Sequence, residues 1–210
     1  MNPVRAAMLD AVRGARGLLA RPEVAAAWQE PSALAAWTVS GLAGHLVRGC
    51  VVVLEYLQAP LPEGEPIAAP AYYPSVMDST TDIDSPVNVQ VRLRGDAWGE
   101  AGQRGLVARL DEELPALAAA LESEPGERRL AVFGRAMRLD DYLKTRIVEV
   151  LVHCDDLAVS VGVPYEPPPT ASDVAFDYLL AVARHVHGYV AVLRGFTRRE
   201  RDRAEALRVF

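Results

Sequence analysis

The chain has 210 residues, half of them hydrophobic and 24% charged, with a formal net charge of −6 at pH 7. That balance is ordinary for a globular protein and argues against a nucleic-acid partner, whose phosphates favour a basic field. No uninterrupted run of about 18 apolar residues occurs, which argues against a membrane span, and Asp10, Arg13 and Arg16 break the continuity a signal peptide needs.

Residues 4–19 predict a first helix, with Met8, Ala11, Val12, Ala15, Leu18 and Leu19 on one side. Pro22 and Pro31 then break the period. Thr38 or Ser40 caps a second helix running to about residue 58, its apolar positions Val39, Leu42, Leu46, Val47 and Leu54 at helical spacing. Residues 59–74 hold Pro60, Pro62, Pro66, Pro70 and Pro74 and no helical period, so they predict a long loop carrying Tyr72 and Tyr73. A third helix is expected over about residues 86–121, with Val87, Val91, Leu106, Val107, Leu110, Leu114 and Leu117 inward and Gly95 and Gly99 as points of interruption. Residues 126–140 read as a short extended pair turning at Gly134.

Asp140 or Asp141 caps a fourth helix that ends near Gly162 and Pro164. A proline-rich connector leads to a fifth helix over about residues 172–193. A charged tail follows. Arg198, Arg199, Arg201 and Arg203 alternate there with acidic residues as on a solvated face, before Ala206, Leu207, Val209 and Phe210, which are able to dock. No internal repeat or domain boundary is visible. The expectation is an all-α fold in one domain over residues 1–210: a four-helix bundle of about residues 4–163, with an extra C-terminal helix and tail over about residues 170–210. Cys50 and Cys154 are too few and too far apart for a disulfide scaffold, which points to a reduced, cytoplasmic setting. Lys144 is the only lysine among many arginines, a usage expected of a GC-rich genome.

The fourth helix carries the most informative pattern. Tyr142, Arg146, Glu149, His153, Asp156 and Ser160 follow one another at steps of three and four residues, along one helical face. Glu149 and His153 stand one turn apart, so a carboxylate and an imidazole can reach a single metal ion. The same stripe also suits the solvated face of an ordinary amphipathic helix. His45, on the second helix, is a lone imidazole among apolar and small residues, and alone it reads more readily as a hydrogen-bonded core residue than as a ligand. In a bundle the two helices can face each other, and His45, Glu149 and His153 together supply the three protein ligands of a catalytic zinc, with a position left for water or substrate. Nickel, Fe(II) or manganese suit the same donors.

The segments WTVSGLAGHL, with Trp28 and Pro31 upstream, and RIVEVLVHCDDL resemble the motifs of the DinB-like helical bundles. Specifically, they resemble those of the mycothiol-dependent maleylpyruvate isomerase-like proteins of actinobacteria. The likeness spans about residues 5–165. It implies a divalent metal held by His45, Glu149 and His153, and mycothiol as a co-substrate whose sulfur meets that metal. The isomerase itself is a two-domain protein with a smaller C-terminal domain that helps bind substrate. Here a helix and charged tail follow Pro164, which counts against maleylpyruvate as the substrate.

Asp156 is expected to orient a ligand or to cap the helix end, and Arg146 to pair with Glu149 or to receive an anionic substrate; these two are the candidate catalytic residues beside the metal ligands. Cys154 should face the core and Asp155 solvent. His185 and His187 point nearly opposite ways on a helix and do not share a metal. Trp28 and Trp37 are read as packing. The leading expectation is an enzyme, an S-transferase or isomerase using a small-molecule thiol on small electrophiles, without nucleic-acid or membrane partners and with a tendency to form a homodimer. The alternative from another class is a non-catalytic metal- or ligand-binding bundle, and thiol-dependent turnover discriminates the two.

Overall fold

The computed structural model describes residues 2–76, 82–198, 200 and 209. Helix α1 (Pro3–Leu19) begins where Asn2 caps it, the side-chain oxygen accepting from the Arg5 N–H, with Pro3 in the first turn. A short helix, α2 (Pro22–Ala26), and an irregular stretch closed by pairing between Pro31 and Thr38 lead to α3 (Val39–Gln58). Thr38 caps α3, accepting from the Gly41 N–H at 3.1 Å. After the proline-rich segment come a 3-10 turn (Ala69–Ala71), α4 (Tyr72–Val76), α5 (Pro86–Gly99) and α6 (Gly102–Ser123). The hairpin β1 (Arg129–Val132) and β2 (Arg135–Arg138) pairs in register from Arg129–Arg138 to Val132–Arg135 and feeds directly into α7 (Leu139–Val161). Helices α8 (Pro169–His187) and α9 (Tyr189–Thr197) follow.

The core is an all-α four-helix bundle. Going round it, α1 packs on α7, α7 on α3, α3 on α6, and α6 back on α1. Inside this ring lie Met8, Leu19, Leu42, Leu46, Leu106, Leu117 and Tyr142, each fully buried. Helix α5 lies along the outside of α3, and α8 is the additional C-terminal helix, set against α1 and α7. Among the described residues α3 is the one helix long and apolar enough to cross a membrane, and most of it is buried within the bundle.

Four elements differ from the sequence reading. The third predicted helix is two, α5 and α6, and its first part turns Gly95 and Gly99 inward while Val87 is 39% exposed. The predicted loop contains the 3-10 turn and α4, whose tyrosines Tyr72 and Tyr73 are buried. Asp140 and Asp141 lie inside the first turn of α7, not at its cap, and Asp140 receives Arg5 and Asn2 from α1. A negative charge there suits the positive end of the helix dipole. The fifth predicted helix breaks at Gly188, whose φ of +81° ends α8 and starts α9. Of the tail, Val209 packs on the core; Arg199, Arg201, Arg203, Ala206, Leu207 and Phe210 lie outside the described residues.

Candidate metal centre

The polar stripe of α7 faces inward. Val152 and Val159 are 39% and 62% exposed, whereas the His153 side chain is 18% exposed. An amphipathic helix with a solvated polar face has the reverse arrangement, so the solvated reading fails. Capping fixes the phase of α7 only at its far end, where Gly162 takes the left-handed conformation (φ +68°) and the Val163 N–H returns to the Ala158 carbonyl at 3.0 Å. The inward phase comes from what α7 meets on α3.

That partner is His45. Its ring lies 4.8 Å from the His153 ring, edge to face, and 5.2 Å from the Trp37 ring. The position of His45 is set by a close approach of α5 to α3. A Cβ on Gly44 would collide with the Gly95 carbonyl, and one on Gly95 would sit 2.6 Å from the Gly41 carbonyl and 2.8 Å from Trp37. Only residues without a side chain allow backbones this near. The glycines were unremarkable in sequence because their partners are about 50 residues away and follow no local period.

The donor atoms of His45, Glu149 and His153 all lie within 4.8 Å of one another. His153 Nε2 is 3.5 Å from Glu149 Oε2, close to the roughly 3.3 Å that separates ligand atoms set tetrahedrally about 2.0–2.1 Å from zinc. On the other side of the ring, Nδ1 donates to Asp156 Oδ2 at 3.0 Å, because a carboxylate only accepts. Asp156 therefore fixes the tautomer that leaves Nε2 to face Glu149. Ser160 continues the stripe, accepting from the Ala33 N–H at 2.9 Å and so holding the segment before α3 against α7.

Arg146 lines the same pocket as His45, Leu46, Gly49, Glu149, Val150 and His153, which together leave space for about one water-sized body. Its Nε donates to Thr145 Oγ1 at 3.2 Å, its Nη2 stands 3.9 Å from Glu149 Oε1, and the guanidinium lies over the Tyr142 ring at 5.1 Å. The sequence places Tyr73 on a loop able to close over the site, but not its contact with Glu149: its hydroxyl donates to Glu149 Oε1 at 3.2 Å and approaches the Thr145 carbonyl at 3.3 Å. The adjacent prolines marked a loop, and nothing local showed that the ring turns inward.

The electrostatics follow from this packing. Burial, and then the charge on His153, hold the His45 pKa down to about 3, so His45 is a neutral donor. Burial works against the charge on His153, but its hydrogen bonds to Asp156 and Glu149 outweigh it and push the pKa up to about 9. Burial also opposes the Glu149 charge; the bond from His153 and the nearby Arg146 prevail and hold its carboxyl well below the usual range. Without an ion, His153 is a cation held between two carboxylates. Cys154 is buried beside this site with its thiol pushed up to about 12 by burial, and Cys50 is likewise raised, so neither is poised as a nucleophile.

Over residues 8–158 the chain matches the family profile described as mycothiol maleylpyruvate isomerase N-terminal domain. The chain belongs to that family. The matched span of this DinB-like bundle contains His45, Arg146, Glu149, His153 and Asp156, all brought together at one site, and it ends before α8. No curated protein and no solved structure matches the chain. His185 and His187, at the end of α8, join no metal-binding group among the described residues. Trp28 packs against the core as expected, whereas Trp37 also forms a wall of the His45 site.

Proposed function

We propose that the protein is a metal-dependent, thiol-using enzyme that acts on small electrophiles, as an S-transferase or an isomerase. The observation that carries this reading is the convergence of His45, Glu149 and His153, three donors from two helices, beside an arginine that lines the same pocket. Two imidazoles and one carboxylate suit zinc best, and nickel, iron or manganese would accept them too. When bound, such an ion lowers the pKa of a thiol so that it serves as a thiolate. The family's description favours mycothiol as that thiol.

The residues of the chain divide the remaining work. His45, Glu149 and His153 hold the ion, and Asp156 keeps His153 in the ligating tautomer. Arg146 receives a carboxylate or other anionic part of the electrophile through donors its protein partners leave free. Leu46, Val150 and Trp37 restrict water around the reacting groups. The thiol sulfur adds to an electrophilic carbon; release of the adduct is transfer, and rotation followed by loss of the thiol is isomerisation. The partners are thus small molecules, and the setting is a reducing cytoplasm in which a free thiol persists.

The test is elemental analysis of protein purified without a histidine tag, repeated for His153→Ala. One divalent ion per chain, lost in the variant, is the expected result; equal occupancy in both removes the ligand assignment. Mycothiol consumption with generic electrophiles is then followed for the native protein and Glu149→Gln, with circular dichroism as the fold control. Turnover that vanishes in Glu149→Gln supports the enzyme. Metal binding with no thiol consumed by any electrophile leaves a non-catalytic metal-binding bundle.

A further inference from the structure

We infer that Tyr73 is the residue that positions Glu149, holding one carboxylate oxygen so that the other is presented to the metal. The inference rests on the metal reading above and concerns how the site is built. The two oxygens of Glu149 have separate surroundings. Oε1 accepts from the Tyr73 hydroxyl at 3.2 Å and faces Arg146 Nη2 at 3.9 Å. Oε2 faces His153 Nε2 at 3.5 Å. With Oε1 engaged, Glu149 offers a single oxygen toward the histidines, and a carboxylate restrained in this way cannot swing to offer both. The arrangement mirrors that of His153, where Asp156 occupies Nδ1 and leaves Nε2 facing the same point.

Tyr73 is suited to this task because it stays a donor. Its hydroxyl faces Glu149 Oε1, and a carboxylate oxygen only accepts, so the phenol is the donor. The hydroxyl reaches Glu149 Oε1 and the Thr145 carbonyl, both on α7. The ring is held in turn from outside the four-helix core. It packs edge to face on Tyr72 at 5.3 Å and against the Tyr178 ring of α8 at 5.8 Å. The Tyr178 hydroxyl donates to the Ala69 carbonyl at 3.0 Å and so pins the 3-10 turn that leads into α4. The additional helix α8 thereby supports the metal centre: α8 fixes the turn, the turn aims Tyr73, and Tyr73 aims Glu149.

The experiment is cobalt(II) titration of the metal-free protein, native and Tyr73→Phe, followed by visible absorption, with thermal melting of each metal-free form. Phenylalanine keeps the ring and removes only the hydroxyl. The expected result is a cobalt affinity weaker by about 10- to 100-fold, the range for loss of such an outer partner, together with a weaker visible band as Glu149 binds through both oxygens and the coordination number rises. Tyr178→Phe should move the band the same way by less. A Tyr73→Phe protein with native affinity and an unchanged band overturns the inference and leaves the metal reading intact. Failure of the native protein to take up cobalt overturns both. Should Tyr73→Phe not fold, Tyr178→Phe decides: a shifted band supports the chain of contacts, and an unchanged one overturns it.

Discussion

Two arginines with nearly closed surroundings sit along α7, and they are built in opposite ways. Arg5, from α1, meets the start of α7 and has four of its five N–H donors engaged. Its Nε bonds Asp140 Oδ1 at 2.7 Å, its Nη1 bonds the Leu121 and Glu124 carbonyls at 2.7 and 2.8 Å, and its Nη2 reaches the Pro125 carbonyl. Arg146, two turns along α7, makes one hydrogen bond to a neighbouring hydroxyl and one long ion pair. A buried guanidinium is costly unless its donors are met. The fold meets most of those of Arg5, whereas Arg146 lines the pocket with few of its own met. The first is a staple joining α1, α7 and the end of α6; the second is the one that the proposed function assigns to an anionic ligand.

The largest effect expected from this contrast is on stability. Arg5→Ala leaves Asp140 with Asn2 as its partner and takes the guanidinium from the carbonyls at the end of α6, and should cost about 2–4 kcal/mol, below the fully buried limit because Asp140 is 26% exposed. Urea denaturation reads this, and metal content at saturation should not change. Arg146→Gln should do the opposite. Stability should move by about 1 kcal/mol or less, while kcat/KM for anionic electrophiles falls by roughly 10- to 100-fold and that for neutral ones is retained. Equal losses of stability in the two variants, or equal losses of rate on charged and neutral substrates, would break the comparison.

A further effect is graded with pH and concerns another residue of the Arg146 pocket, His153. In the metal-free fold the pKa of His153 is raised to about 9, above its ordinary value of about 6.5. Its proton therefore stabilises the metal-free fold fully below about pH 6.5, and that contribution is lost as pH rises through about 9. Metal binding must displace the same proton, so apparent affinity should climb about tenfold per pH unit below about pH 9 and then level off. His45, held near 3, adds no further proton at neutral pH. Competition titrations at several pH values, with proton release near one per ion at neutral pH, check this. A flat affinity across that window would remove His153 from the ligand set.

Much of the site was legible in the chain because its signals are local. Arg146, Glu149, His153 and Asp156 announce themselves by steps of three and four residues on one helix, and Thr38 marks where the His45 helix begins. The motif resemblance joined the two helices, and the family match over residues 8–158 agrees with it. Helix existence followed from apolar periodicity in α1, α3, α6 and α7. Boundaries were less legible where a single residue decides them, as at Gly188, whose conformation splits the C-terminal helix in two. Asp140 looked like a cap by residue type, yet its partner is Arg5, far away in sequence.

The sequence by itself determined the main helices of the bundle, the polar stripe on α7 and the pairing of a Glu149–His153 turn with a distant histidine, because helical period and residue chemistry are carried by neighbours along the chain. Only the tertiary structure decided which way that stripe faces. Burial of α7 against α3 turns it inward, the glycine contact between α3 and α5 sets His45 opposite it, and Tyr73 arrives from a proline-rich segment with no period to betray it. Those choices depend on contacts between residues far apart in the chain, where backbone approach and desolvation, which no local pattern encodes, fix the arrangement.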